Sequence, residues 1–266
     1  MTINDVVAID VHGHYGVYYR KELTLHNRFM TATASQVEDR ARRSGIGTTV
    51  VSPLLGLVPR FEADAVKGNE EAARVVEETP GLLQWVIVNP KQPETFAQAA
   101  DRLKHPKCVG IKIHPEEHGY PISREGGRIF EFAARHAAVV LTHSGEQNSL
   151  PEDCVPFANE FPELNLILAH LGCGWDNDLG HQVRAIQASR NGNLHVDTSS
   201  ASSIIPGLIE WAVEEIGCGR ILFGTDTPLY STAMQRRRIE TAEISDADKR
   251  AILRDNALAL LKLPAA

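Results

Sequence analysis

The sequence predicts an α/β fold, a single (β/α)8 TIM barrel, and three observations carry that expectation. Eight short apolar, β-branched runs appear, each bounded by turn residues. Sharing 266 residues among eight runs gives roughly 33 per unit, which suits a strand, a helix and their loops. The runs are close to continuously apolar, the mark of parallel strands covered by helices. An open doubly wound sheet is the alternative, and eight units favour closure. No Pro/Gly/Ser-rich linker or low-complexity tract divides the chain, so residues 1–266 are expected to form one domain.

In chain order the expected strands are Val6–His14, Thr48–Leu55, Leu82–Asn89, Cys108–His114, Ala138–His143, Leu166–Leu171, Leu194–Thr198 and Ile221–Thr225. Helix starts are read at Ser35 with Glu38 and at Ser245 with Asp248, where a side chain can accept an orphan N–H of the first turn. Further helices are expected within Asn69–Glu78, Glu94–Lys104, Arg124–His136, Asp176–Ser189 and Gly207–Ile216. Pro151–Phe161 is a weaker helix because Pro156 interrupts it.

Composition narrows the function. There are 27 Lys and Arg against 34 Asp and Glu, a net charge of −7, which argues against nucleic-acid or anionic-membrane binding. No apolar run has the roughly 18 residues that a spanning helix needs. Met1–Asp5 carries no basic region or signal core, so a cytoplasmic location is expected. Cys108, Cys154, Cys173 and Cys218 are scattered, with no C-x-x-C pair, and read as reduced structural thiols. There is no G-x-S-x-G elbow, no phosphate loop and no complete dinucleotide fingerprint.

Metal-capable residues sit at the C-terminal ends of several runs, where barrel active sites are built. On the first, side chains alternate with period two, so Asp10, His12 and His14 are expected on one face. The fifth run ends in His143, the sixth in His170, and Asp226 follows the eighth. One histidine at a strand end is ordinarily a hydrogen-bonded core residue; several on separate strands point to convergence. Imidazoles with a carboxylate suit Zn²⁺ best, with Mn²⁺ or Fe²⁺ as alternatives. Such a centre can lower the pKa of a bound water to about 7.

Lys112 and His114 share a face of the fourth run, with Ile111 and Ile113 on the other. An inward lysine needs an anion, a substrate or the loss of its charge. It can pair with an interior carboxylate such as Asp10, face an anionic substrate group together with His114, or be carbamylated and bridge two metals. Substrate binding or pairing is preferred. Tyr15, Tyr18 and Tyr19 are candidates for a pocket wall, with Glu146, Gln147 and Trp175 weaker ones. His26, His105, His118, His136 and His181 are read as solvent-facing, and His195 as remote from the active face; the role of Asp197 is open.

Taken in order, Asp10-x-His12-x-His14, Gly110-x-Lys112-x-His114-Pro115, Thr142-His143, Ala169-His170 and Gly224-Thr225-Asp226 resemble the amidohydrolase superfamily. The resemblance is strongest to its amidohydrolase-related branch of metal-dependent hydrolases and nonoxidative decarboxylases, and the closing segment Asp255–Leu263 fits it too. The resemblance implies a divalent metal in a distorted barrel. In mononuclear members the residues matching His12, His14, His143 and Asp226 ligate the ion, while the one matching His170 positions or deprotonates water. In binuclear members a lysine placed like Lys112 is carbamylated, and the residues matching His143 and His170 hold the second ion.

The leading expectation is a hydrolase of a small-molecule amide, ester or lactone, with one metal ion and with His170 and Asp226 moving protons. The alternative is a nonoxidative decarboxylase of a small carboxylic acid, and the third reading a noncatalytic binding barrel. A homodimer is expected from class analogy.

Overall fold

Eight parallel strands pair in chain order: β1 Ala8–Tyr15, β2 Ile46–Pro53, β3 Leu82–Ile87, β4 Cys108–Ile113, β5 Val139–Thr142, β6 Asn165–Leu168, β7 Leu194–Asp197 and β8 Ile221–Leu222. The structure, a computed structural model, describes residues 3–264. β8 meets β1 through three backbone hydrogen bonds that close the ring. The N–H of Val11 donates to the Phe223 carbonyl at 2.9 Å, that of Asp226 to His12 at 2.7 Å, and that of His14 to Thr227 at 2.6 Å. The chain is a (β/α)8 barrel, as the strand count requires.

Helices α1 Thr24–Phe29, α2 Ala34–Arg43, α3 Ala65–Glu78, α4 Glu94–Arg102, α5 Pro115–His118 and α6 Ile122–Arg135 accompany the first half. The second half carries α7 Pro151–Glu160, α8 His181–Ala188, α9 Leu208–Ile216, α10 Thr232–Glu240, α11 Asp246–Arg250 and α12 Asn256–Leu260. A π-helical turn, Ala251–Asp255, joins α11 to α12, and its Ile252 carbonyl accepts the Phe223 N–H at 3.0 Å.

Local chemistry explains where these helices begin. Ser245 caps α11 as expected, accepting the Asp248 N–H at 3.1 Å. The cap of α2 is Thr33 rather than Ser35: Thr33 and Gln36 form a reciprocal capping box, and Ser35 is already inside the helix. α8 starts at His181 rather than Asp176, because the carboxylates of Asp176 and Asp178 accept the N–H groups of Asp178 and Gly180 and stabilise turns instead. Pro156 lies inside α7 without ending it. α1 buries no side chain, so it carries no apolar period to read.

Two apolar layers hold the barrel. Ile111, Ile113, Val140 and Leu168 face outward against helix residues such as Ile129 and Phe130. Val11, Trp85, Leu141, Ile167 and Leu222 fill the interior, with Ala257 and Leu261 packed against them. Gly110 is needed where β4 passes Trp85. A Cβ there would run into the Val139 carbonyl oxygen and lie 2.5 Å from the ring. Gly110→Ala is therefore expected to cost about 3 kcal/mol by overpacking, read as a fall in the thermal unfolding midpoint; an unchanged midpoint would contradict this packing.

β1 departs from simple alternation. Its pairing with β2 steps from Asp10↔Thr49 to Gly13↔Val51, so β1 carries one extra residue there. Such a bulge re-aims the side chains that follow it, and bulges are frequent beside active sites. Asp10 consequently turns to β8, where its carboxylate accepts the Thr225 N–H at 3.0 Å and the Thr225 hydroxyl at 2.6 Å. The expected single face of Asp10, His12 and His14 is thus divided.

Candidate metal centre and catalytic cavity

A cavity of about 350 Å³ opens at the C-terminal end of the barrel and includes His12, His14, His114, His143, His170 and Asp226 in its lining. Three of these form one compact buried group, and His12 forms a second with His170 and Asp197. One ligand atom each from His12, His14 and Asp226 lies within 4.8 Å of the others, and all three residues are buried.

Backbone geometry aims these side chains. His170 and Asp226 lie beyond the last residues of β6 and β8, with left-handed φ of 70° and 55°. Non-glycine residues in that region carry strain that their surroundings must hold. Here the His170 N–H donates to Asp197 Oδ1 at 2.9 Å, and the Asp226 N–H to the His12 carbonyl at 2.7 Å.

Hydrogen bonds also set which nitrogen of each imidazole is free. His12 Nδ1 donates to Asp197 Oδ2 at 2.8 Å, and His14 Nδ1 to the Ser52 carbonyl at 3.0 Å. The Nε2 lone pairs then face Asp226 Oδ1, at 3.6 Å from His12 and 3.1 Å from His14. Lone pairs converging on a carboxylate oxygen fit a cation, and a carboxylate behind a ligating histidine is the usual second layer of a metal site. The His12 lone pair already meets a positive partner, Lys112 Nζ, at 3.0 Å.

Burial dominates the protonation of this region. It lowers His12 to about 4, with Lys112 adding to the effect, and His170 to about 3. Lys112 falls to about 8 through burial, opposed by Asp197 and Asp226. Burial alone would raise Asp226, but His14 beside it and the nearby His12 and His170 bring it down to about 2. Asp197 is held well below the carboxylate range against the same burial by His12 and His170. Asp10 lacks such partners and is pushed by burial up to about 7.

The other expected residues are placed as follows. His143 joins the group through His170: His143 Nδ1 is 3.1 Å from His170 Nε2, and His143 Nε2 is 2.7 Å from Glu146. His114 caps α5 and stacks on His143, with ring centroids 4.2 Å apart. Lys112 is 1% exposed and lies beneath the cavity against His12, rather than on its wall or beside Asp10. Tyr18 lines the cavity, whereas Tyr15 is in the core and Tyr19 and Trp175 are exposed. His118 is buried rather than solvent-facing, its Nε2 donating to the Gly56 carbonyl at 2.9 Å.

Asp197, whose role the sequence left open, braces His12 and the His170 backbone from the end of β7, and other residues give no sequence signal. Ser199, two residues on, carried none. At the rim Arg20 and Arg60 both pair with buried Glu117, a contact between distant segments.

The amidohydrolase family model matches residues 9–263. The chain belongs to this family. Within the amidohydrolases, a segment of the chain is 33% identical over 123 residues to the gamma-resorcylate decarboxylase of a Rhizobium species, strain MTP-10005. That match covers 41% of this chain and 37% of the relative, so it spans little more than a third of that enzyme. Two solved amidohydrolase-type folds align over nearly the whole barrel. The dihydroxybenzoic acid decarboxylase of Polaromonas sp. JS666, with bound manganese and the inhibitor 2-nitroresorcinol, has a TM-score of 0.72 and 19% identity, covering 100% of this chain and 98% of its own. The 5-carboxyvanillate decarboxylase of Sphingomonas paucimobilis has a TM-score of 0.75 and 14% identity, covering 97% and 100%.

These comparisons correct two expectations. All three relatives are decarboxylases, which are lyases, so the expected hydrolase gives way. The metal named with the Polaromonas enzyme is manganese, so the choice of zinc has no support from a relative. No helix among the described residues is long and apolar enough to cross a membrane.

Proposed function

We propose that this chain is a metal-dependent lyase that releases carbon dioxide, without redox change, from a small hydroxylated aromatic acid. The mixed lining of the cavity carries this reading. It combines His12, His14, His170 and Asp226 with Leu54, Leu57, Val58 and Leu229 and with Tyr18 and Tyr230. A flat ring bearing a carboxylate and a hydroxyl matches that mixture, its polar groups suited to the donors and its ring to the aliphatic side chains. The named activities of the decarboxylase relatives support the same reaction class.

His12, His14 and Asp226 would hold the ion, with His143 at the same cavity as the fourth donor that the family resemblance implies. Manganese is the ion of choice, following the Polaromonas enzyme. A bound divalent cation supplies charge neutralisation to an anionic substrate.

Decarboxylation breaks the bond between ring carbon and carboxyl carbon. The electron pair stays on the ring, and a proton takes the place of carbon dioxide. Asp226 and His170 face the cavity and are the groups placed to take up a proton from water or from the substrate's own acid group and pass it to the ring carbon. His114, on the same wall, orients the substrate. Lys112 lies beneath the centre, its Nζ 3.0 Å from His12 Nε2.

The test is carbon dioxide release from a panel of mono- and dihydroxybenzoates by manganese-loaded protein, run in D2O. Release with one deuterium placed at the vacated carbon is expected. An absence of release across the panel, with full metal occupancy, would overturn the reading.

A further inference from the structure

We propose that residues 17–31, the excursion between β1 and α2, are a strap over the mouth of the cavity, and that the pairing of Arg20 with Glu117 is the latch that holds it down. The latch rests on contact geometry; only the response of the strap to ligand rests on the decarboxylase reading.

The two ends of the excursion are pinned together. The N–H of Gly16, which sits at a φ of 110°, donates to the Ala32 carbonyl at 2.7 Å, and the Ala32 N–H donates to that of Gly16 at 3.2 Å. Between these ends the chain holds its own shape. The Arg20 N–H donates to Asn27 Oδ1 at 2.7 Å, and the Asn27 amide returns a bond to the Arg20 carbonyl at 2.8 Å. The Tyr18 N–H donates to the Thr31 hydroxyl oxygen at 2.9 Å. Attachment to the barrel is sparse by comparison. No residue from 16 to 31 is buried, and Val17, Tyr19, Leu23, Leu25 and Phe29 leave apolar side chains exposed. A loop closed at its base, ordered by its own bonds and buried nowhere is a unit that opens locally with little loss of packing.

Two side chains bring the strap to the cavity. Tyr18 and Arg20 both line it, and Tyr18 packs against Leu54, Leu57 and Val58. Arg20 reaches further: its Nη1 donates to Glu117 Oε2 at 2.7 Å and its Nη2 to Oε1. Glu117 belongs to α5, which follows β4, three strands round the ring from β1, so this contact crosses the mouth. The surroundings also make it releasable. Parting a buried ion pair is ordinarily costly because one charge is left uncompensated. Here the buried partner is Glu117, at 5% side-chain exposure, and Arg60 from the loop after β2 stays beside it, Nη2 3.2 Å from Oε1. Arg20, already 25% exposed, is released toward water. The strap therefore lifts without orphaning the carboxylate that held it.

The measurement is hydrogen–deuterium exchange of the intact chain, read by mass spectrometry without substrate. In wild type, peptides within residues 17–31 are expected to exchange together and faster than those of β1 and α2. Arg20→Gln is expected to speed the strap about tenfold and leave β1 and α2 unchanged. Arg20→Lys, which keeps the charge and loses the two-point contact, is expected to fall between. Wild-type strap exchange as slow as that of β1, which a fixed loop or one covered by a second copy would give, overturns the proposal whether or not either variant folds. So does an Arg20→Gln strap that exchanges at the wild-type rate. Gamma-resorcylate, once calorimetry shows it bound, is expected to slow the strap, because Tyr18 and Arg20 meet a ligand only when the strap is down. A bound ligand that leaves strap exchange unchanged also overturns the proposal. Failure of the decarboxylase reading would show separately, as protein that neither binds gamma-resorcylate nor releases carbon dioxide, with the Arg20 comparison still deciding the latch.

Discussion

Asp226→Asn is expected to reduce carbon dioxide release by about 10³-fold and to lower the bound metal well below one equivalent. The substitution keeps the shape of the side chain, and asparagine tolerates the left-handed φ of 55° at this position, so the fold should survive. What is lost is the negative charge toward which the His12 and His14 lone pairs point, at 3.6 and 3.1 Å. An amide oxygen is a weaker ligand than a carboxylate and its nitrogen is not a ligand at all. Elemental analysis beside the rate measurement separates the two contributions. Wild-type metal content and wild-type turnover in this variant would remove Asp226 from the centre.

His170→Asn should act differently. A loss of about 10²- to 10⁴-fold in kcat is expected, with the ion retained at His12, His14 and Asp226. His170 groups with His12 and Asp197 rather than with His14 and Asp226, so its removal takes away a proton-transfer site and leaves His12, His14 and Asp226 in place. Asparagine again accommodates the positive φ, here 70°, and its N–H can still donate to Asp197. Wild-type rates would exclude His170 from proton transfer. Loss of the ion along with activity would instead make His170 a ligand, and would move the boundary of the centre.

Much of this site was visible before any coordinates because its residues obey local rules. His143, His170 and Asp226 follow apolar runs at the places where parallel strands end, and Lys112 alternates with Ile111 and Ile113. Other features were hidden because they obey no local rule. The extra residue in β1 leaves no mark on its composition, yet it sends Asp10 to Thr225 while His12 and His14 reach the cavity. His118 reads as a loop histidine, and only the approach of Gly56 from a distant segment buries it.

The sequence by itself determined the number of βα units, the placement of polar residues at strand ends and the family to which they belong, since periodicity and turn chemistry act over a few neighbours. Tertiary structure decided which of those residues meet. Closure of β8 onto β1 brings Asp226 to His12 and His14, and the packing of β7 beside them puts Asp197 and Ser199 behind two imidazoles. Convergence of this kind depends on the register and closure of the whole ring, and no single segment contains that information.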